Sequence, residues 1–289
     1  MPYITVGEEN SGSIELYYED HGAGRPVILI HGWPLSGASW EKQSSALLAA
    51  GYRVITYDRR GFGNSSKPTS GYNYGTLAGD LRKIITKLNL RDVTLAGFSM
   101  GGGEVARYLG LYGSQNVSQA VFISAIPPYL LQTADNPEGA PGSVFAGIEQ
   151  AIVADRPAFL SQFLHNFYNV DVLGGTRISN EAVQLSWNVA VNASPKGTLD
   201  CVAAWLEDFR GDLAKIDIPT LVIHGDTDRI LPFPVTAKRT HETVKGSTLV
   251  TIEGGPHGVL WTHADAVNPA LLDFLEQKTP ATQKAAATR

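Results

Sequence analysis

Apolar runs that do not alternate with polar residues constrain the fold of this chain more than any other feature. A strand with one solvated face alternates apolar and polar residues, whereas an uninterrupted apolar run suits a strand that helices cover on both faces. Several of the β-type runs are of this second kind. The β-type runs occupy residues 14–20, 26–32, 53–58, 93–99, 120–126, 219–225 and 247–254.

Stretches with helical character separate these runs, at residues 40–51, 74–90 and 101–113, and a final amphipathic helix is expected at 267–278. Strands and helices that alternate along a chain are typical of α/β proteins, because parallel neighbours in a sheet need a crossover connection. We therefore predict an α/β fold with a mostly parallel sheet and helices on both of its faces.

The alternation is interrupted once, over residues 127–212, where the sequence is aromatic and helical in character without a convincing strand. We predict a helical cap there, inserted into a core formed by residues 1–126 and 213–278. Ligands of open α/β sheets bind at the carboxyl ends of the strands, so a cap at that end would build a pocket. The polar tail, residues 279–289, is expected to be disordered.

Composition and charge exclude several classes of protein. The 289 residues are 43% hydrophobic and 18% charged, which suits one large domain or a domain with an insertion. A net charge of −5, without a block rich in Lys or Arg, argues against a nucleic-acid partner. The first residues do not resemble a secretion signal, and no apolar run approaches the roughly 18 residues of a membrane span. We expect a cytoplasmic protein without a membrane partner.

The sequence also carries no sign of a metal or cofactor site. Cys201 is the only cysteine, which excludes an intramolecular disulfide and a Cys-based zinc site. Its helical, apolar surroundings predict a small buried residue rather than a nucleophile. No clustered His and Glu set, Walker A motif or dinucleotide fingerprint is present. We therefore expect no cofactor and no metal.

The strongest single motif is Gly97-Phe98-Ser99-Met100-Gly101, a G-x-S-x-G that follows an apolar strand and precedes a helix. In this context the motif is typical of a nucleophile elbow. Small residues on either side let strand and helix pack closely around a strained serine, and the helix N-terminus supplies backbone N–H groups and a positive dipole end. We predict that Ser99 is a nucleophile; the alternative is merely a tight turn.

A serine hydroxyl is a weak nucleophile and needs a base. Of the seven histidines, His257 follows the last predicted strand in the Gly-rich loop "EGGPHGVLW", where it can face the elbow. His263, six residues on, is the alternative. His31 and His224 each end a strand in a His-Gly pair, where a structural hydrogen bond to a loop backbone is expected.

The base in turn needs a carboxylate that fixes its tautomer. The loop "HGDTDRILP" offers Asp226 and Asp228 in the order Ser, Asp, His that this type of site requires. We favour Asp228, because an Asp at position 226 would typically accept hydrogen bonds from turn N–H groups. The loop after residues 120–126 holds no carboxylate before Asp135.

An acyl-transfer site also needs donors for the oxyanion. The N–H of Met100, directly after the nucleophile, is one candidate. The N–H of Trp33, in the loop "HGWPL", is the other, and Gly32 allows a close approach of the backbone. Trp33 and Phe98 adjoin these positions and are expected to line the substrate pocket. Seven aromatic residues of the cap are candidates to line it too, and some of them should instead fill the cap core: Phe145, Phe159, Phe163, Phe167, Tyr168, Trp187 and Trp205.

The segments "HGWP", "YDRRGFGNSS", "GFSMGGGE", "HGDTDRILP" and "EGGPHGVLWTHADAVN" follow one another along the chain. As a set they resemble the α/β-hydrolase superfamily and, more narrowly, the cofactor-free, non-heme bacterial haloperoxidases with their aryl-esterase and γ-lactamase relatives. The resemblance extends over residues 3–278. It implies an α/β-hydrolase fold, a triad of Ser99, Asp228 and His257, and an oxyanion hole made by the N–H groups of Trp33 and Met100.

The resemblance further implies an enzyme in which an ester, lactam or carboxylic acid acylates the serine. Water would then give hydrolysis, and hydrogen peroxide would give a peracid that oxidises halide away from the protein. Relatives of this kind often form dimers or trimers, which makes a homo-oligomer an expectation. The alternatives are an amidase or γ-lactamase that uses the same triad, a ligand-binding receptor without turnover, and a lyase. A dehalogenase would need an acidic residue at position 99.

Overall fold

A computed structural model describes residues 2–277 of the chain. One eight-stranded sheet runs through it in the order β1-β2-β4-β3-β5-β6-β7-β8. The predicted disorder of residues 279–289 concerns residues outside this range. The strands are β1 Tyr3–Glu9, β2 Gly12–His21, β3 Pro26–Ile30, β4 Arg53–Tyr57, β5 Val93–Phe98, β6 Val117–Ile123, β7 Thr220–Gly225 and β8 Thr248–Ile252.

The strands from β4 to β8 pair in parallel, and β1 and β2 add an antiparallel edge. Every residue of β5, β6 and β7 is buried, as expected for strands with helices on both faces. The predicted α/β class and mostly parallel sheet are therefore confirmed.

The sequence interpretation missed β1. This strand alternates, with Ile4 and Val6 buried between exposed residues, and it pairs antiparallel with β2. Only one of its faces meets the core, so it lacks the continuous apolar character by which the inner strands were found.

Helices fill the connections between successive strands from β3 to β8, and α3 begins at Met100, directly after Ser99. The α-helices are α1 Glu41–Ala49, α2 Tyr74–Lys87, α3 Met100–Tyr112, α4 Gly142–Phe167, α5 Val170–Leu173, α6 Asn180–Val191, α7 Pro195–Ala204, α8 Arg210–Leu213, α9 Ala237–Thr243, α10 Val259–Thr262 and α11 Ala264–Glu276. None of the helices within residues 2–277 combines the length and apolar character needed to cross a bilayer.

Between β6 and β7 the described chain contributes no strand to the sheet and contains helices α4 to α8. Helix α4 is kinked at Asp155, which has φ −157° and ψ 86°, two residues before Pro157. A proline inside a helix removes a backbone hydrogen bond and clashes with the preceding turn, which accounts for the kink. We keep the name cap for residues 127–212.

Candidate active site

The backbone turns sharply at Ser99, between β5 and α3, where φ is 54° and ψ is −119°. This region is costly for a residue other than glycine and persists where the surroundings enforce it. A Cβ on Gly97 would collide with the carbonyl of Gly101, and a Cβ on Gly101 would collide with the carbonyl of Ile30. Gly97 therefore lets β5 and α3 approach each other closely, and Gly101 lets α3 approach the end of the neighbouring strand β3, so that the strained serine is held between them.

The structure brings Ser99, His257 and Asp228 together from three different loops. Nε2 of His257 lies 2.9 Å from Oγ of Ser99, and Nδ1 of His257 lies 2.7 Å from Oδ2 of Asp228. The loops follow β5, β7 and β8, which end at the same edge of the parallel sheet. All three side chains are buried. Since the carboxylate can only accept, Nδ1 of His257 donates to it and Nε2 is left to accept from the serine hydroxyl.

The carboxylate of Asp228 is held by donors on both oxygens. Oδ1 accepts hydrogen bonds from the N–H groups of Ile230 and Leu231, each at 2.8 Å. Oδ2 accepts from His257 and also lies 3.1 Å from Nε2 of His224. Burial by itself would raise the pKa of Asp228, but the electrostatic interaction and hydrogen bond with His257, together with the nearby imidazole of His224, outweigh burial and hold that pKa below its ordinary value.

The alternative acid and base lie elsewhere. Asp226 is exposed, and its Oδ1 accepts a hydrogen bond of 2.8 Å from the N–H of Gly254. The structure thus brings Asp228, and not Asp226, to the imidazole of His257. His263 stands before α11 with Nδ1 2.9 Å from Oγ1 of Thr262.

The two histidines of the His-Gly pairs bond to loop backbone, as expected. Nε2 of His224 donates to the carbonyl of Leu231 at 2.7 Å. Nε2 of His31 accepts from the N–H of Arg59 at 2.9 Å, and Nδ1 donates to the carbonyl of Gly32 at 2.8 Å. Burial, reinforced by the charge of Arg59, lowers the pKa of His31 well below its ordinary value.

The two predicted oxyanion donors flank the elbow. The N–H of Met100 opens helix α3 and so has no acceptor within the helix. Among residues 2–277, neither this N–H nor that of Trp33 has a hydrogen-bond acceptor. A Cβ on Gly32 would come within 2.9 Å of Cβ of Ser99, which shows how closely the loop after β3 approaches the serine.

Ser99 lies on the wall of a cavity of about 490 Å³ between the sheet edge and the cap. Trp33 lines it from the core, and the cap contributes four of the seven aromatic residues considered above. Glu138 and Arg229 are the charged residues of the lining. These four aromatic residues are Phe145, Phe159, Phe163 and Trp205, and Tyr129 is a further cap aromatic in the lining. The cavity therefore suits a largely apolar ligand. Within residues 2–277, no three His, Cys, Asp or Glu side chains are grouped so that they could hold a metal ion.

Phe98 is expected from the sequence to line the substrate pocket, but it is not among the residues that line this cavity. Its ring packs against His257, with ring centroids 5.2 Å apart, and faces a separate cavity of about 130 Å³ that Phe167 and Tyr168 also line. Neighbouring residues at a strand end point to opposite sides, so Phe98 lies away from the cavity that Ser99 faces. Phe98 thus supports the imidazole instead of forming a wall of the larger cavity.

Sequence reasoning missed two contacts of the site. One is the approach of His224 to Asp228, for which the four-residue spacing was the available signal. The other is a cap segment that bonds to two loops: the carbonyl of Phe167 accepts from the N–H of Gly258 at 2.9 Å, and Nδ2 of Asn169 donates to the carbonyl of Thr227 at 3.0 Å. Nothing in the local sequence indicates these long-range partners.

Comparisons with known proteins show the family of the chain. Residues 25–264 match the family model described as alpha/beta hydrolase fold. A Synechocystis sp. protein, provisionally named as a non-heme chloroperoxidase, is 64% identical over 96% of this chain and 100% of its own length. The bifunctional esterase/perhydrolase of Acinetobacter calcoaceticus is 34% identical over 95% of this chain and 99% of its own.

A solved structure shows the same likeness in three dimensions. The crystal structure of a bromoperoxidase from Bacillus anthracis superposes with a TM-score of 0.91 and 50% identity, over 94% of this chain and 98% of its own. Identity at this level over nearly the whole chain shows that the two proteins share a family as well as a fold. The chain belongs to the α/β-hydrolase family, among the non-heme haloperoxidases and their esterase/perhydrolase relatives.

Proposed function

We propose that the protein is a serine hydrolase of small carboxylic esters with perhydrolase activity, and that it works through an acyl-enzyme on Ser99. The observation that carries the proposal is the continuous chain of contacts from Asp228 through His257 to Ser99, with Ser99 on the wall of a mostly apolar cavity. This arrangement contains a nucleophile, a base and an orienting carboxylate.

In the proposed acylation, Oγ of Ser99 attacks the carbonyl carbon of the ester while Nε2 of His257 takes the hydroxyl proton. The negative charge on the former carbonyl oxygen would be met by the unpaired N–H groups of Trp33 and Met100. Asp228 stabilises the imidazolium that forms. The imidazolium then protonates the leaving alcohol as the carbon–oxygen bond breaks, and the acyl group stays on Ser99.

The acyl-enzyme is resolved by a second nucleophile that His257 deprotonates. Water releases the carboxylic acid, whereas hydrogen peroxide releases a peracid; with a carboxylic acid as donor, the group that leaves during acylation is water. The 34% identity with an esterase/perhydrolase supports both outcomes for this chain. The peracid would oxidise halide in solution, consistent with the haloperoxidase names of other relatives. Small lactams would enter through the same acyl-enzyme.

The proposal is tested by two assays on the same preparations: hydrolysis of p-nitrophenyl acetate, and formation of peracetic acid from acetate and hydrogen peroxide. We expect Ser99→Ala to lower kcat by at least about 10³-fold in both assays. Ser118→Ala is the matched control, because Ser118 is a serine of β6 whose hydroxyl bonds to the carbonyl of Asp92 at 3.0 Å. Near-full activity of Ser99→Ala in both assays would rule the mechanism out, and binding without turnover in the unaltered protein would favour a receptor.

A further inference from the structure

His224 stands at the end of β7, four residues before Asp228, and is completely buried. Its Nε2 donates to the carbonyl of Leu231 at 2.7 Å and lies 3.1 Å from Oδ2 of Asp228. Leu231 is also the residue whose N–H donates to Oδ1 of Asp228. One imidazole therefore contacts both the carboxylate and the turn that wraps around it.

We propose that His224 is a positioning residue for the acid of the triad, which closes the turn from Asp228 to Leu231 and divides the negative charge of Oδ2 between two imidazoles. The proposal rests on the proposed function, since it concerns the residue that orients the base. The sequence predicted only a structural hydrogen bond for His224, whereas this role would affect catalysis.

The contacts determine where the proton of His224 lies. Both atoms that face Nε2 are acceptors, so Nε2 must carry the proton. Nδ1 is buried and has no hydrogen-bond partner among residues 2–277, so a proton there would be an unsatisfied buried donor. The ring therefore presents one N–H to Asp228 and Leu231.

This N–H competes with His257 for the same carboxylate oxygen. Oδ2 would otherwise direct its charge at the Nδ1–H of His257 alone. The titratable side chains that contact Asp228 are His257 and His224. Asp226 is bonded to the N–H of Gly254, and the guanidinium of Arg229 is paired with Asp171 at 2.7 Å on the surface. Within residues 2–277, the charged or titratable partners of Asp228 within 4 Å are these two histidines.

The first experiment compares His224→Leu, which removes the donor, with His224→Gln, whose side-chain amide can place an N–H at nearly the same point. We expect His224→Leu to lower kcat for p-nitrophenyl acetate about tenfold, because the carboxylate loses an N–H group that lies close to its Oδ2, with KM within about twofold. The acidic limb of kcat/KM should move up by about half a pH unit, because Oδ2 then stabilises the imidazolium of His257 more strongly.

His224→Gln should restore kcat to within about threefold of the unaltered protein and return the acidic limb to its place. His241→Leu is the control, since His241 is a half-buried histidine of α9 whose Nδ1 bonds to Ser247 at 2.8 Å. An acidic limb of His224→Leu that stays in place or moves to lower pH would overturn the proposal. So would a His224→Gln variant that behaves like His224→Leu.

A second measurement uses the unaltered protein and so does not depend on the folding of a variant. Nitrogen NMR of histidine-labelled protein, assigned with His224→Gln, should show the proton of His224 on Nε2 and Nδ1 bare. A proton on Nδ1 would overturn the proposal. The two proposals can be rejected independently. Activity in Ser99→Ala would disprove the acyl-enzyme mechanism, whereas an unchanged pH profile in an active His224→Leu enzyme would disprove only the role of His224.

Discussion

The loops after β7 and β3 lie at the same edge of the sheet, yet they are held in different ways. After β7, Asp228 is fixed by backbone N–H groups close in sequence and by two histidines of the core. After β3, the indole of Trp33 packs edge-on against Trp205, with centroids 4.9 Å apart, and its Nε1 donates to the carbonyl of Thr198 at 3.1 Å. Trp205 and Thr198 both belong to the cap, as do Phe159 and Phe163, whose rings also pack against Trp33.

Because of this difference, substitutions in the two loops should affect the reaction rate in different ways. In the loop after β7, the acid loop, the carboxylate of Asp228 is held without a contact to the cap, so a change at this carboxylate should affect the chemical step equally for every substrate. The position of Trp33 depends on how the cap is packed, so a change there should affect substrates according to their shape. Variants in the two regions can therefore be distinguished by whether the loss of rate varies with the acyl group.

The largest effect is expected at the acid. Asp228→Asn keeps the shape of the side chain but replaces the carboxylate that accepts from Nδ1 of His257, and the amide can favour the wrong tautomer of the imidazole. We expect kcat to fall by about 10³- to 10⁴-fold for acetyl and for bulky aryl esters alike, with little change in KM. The measurement is the pair of kcat values on p-nitrophenyl acetate and p-nitrophenyl benzoate.

Asp226→Asn is the matched control, two residues away on the same loop. Its carboxylate accepts from the N–H of Gly254 on the exposed side, and an amide oxygen can accept the same bond. We expect at most about a twofold change in kcat. A larger loss of kcat at position 226 than at position 228 would reverse the assignment of the acid.

The same contrast explains what could be predicted from the sequence. Ser99 was identifiable because the strained turn imposes glycines at fixed spacing on both sides, so its signal lies within five consecutive residues. Asp228 was distinguished from Asp226 by turn chemistry within the loop. The inner strands were recognisable because burial on both faces makes them continuously apolar, whereas β1 alternates and was missed.

The contacts that were not predicted join residues far apart in the sequence. The packing of Trp33 against Trp205 and the bond from Asn169 to the Thr227 carbonyl depend on how the cap folds over the sheet. The position of Phe98 outside the lining of the larger cavity has a similar origin, since adjacency to Ser99 in the chain does not fix which way the ring points. A cytoplasmic location, self-association and the limits of the cap stay predictions.

A smaller, substrate-dependent effect is expected from the cap wall. Trp205→Leu removes the ring that packs on Trp33 and enlarges the cavity that Ser99 faces. We expect kcat/KM to fall about tenfold for p-nitrophenyl acetate, and clearly less for p-nitrophenyl benzoate, whose ring can occupy part of the vacated volume. The ratio of the two kcat/KM values is the measurement.

Trp187→Leu tests whether the effect is specific to the cavity wall. Trp187 is a cap tryptophan that lies outside the lining of this cavity, with Nε1 bonded to the carbonyl of Pro157 at 3.1 Å. It should leave the ratio of the two kcat/KM values unchanged. Equal losses for both esters in Trp205→Leu would mean that the position of Trp33 does not depend on this contact.

The smallest effect is expected where the cap contacts the acid loop. A variant at this contact tests how far the position of Asp228 depends on the cap. Asn169 has φ 49° and ψ 50°, a left-handed conformation that glycine adopts freely, so Asn169→Gly removes the bond to the Thr227 carbonyl without new backbone strain. Loss of one hydrogen bond of about 1 kcal/mol should lower kcat no more than about threefold to fivefold, equally for acetyl and benzoyl esters.

Asn192→Gly, which removes an exposed bond to the carbonyl of Asn188, controls for the loss of an amide. A loss of kcat in Asn169→Gly as large as that of Asp228→Asn would show that the cap, and not the core, holds the acid in place.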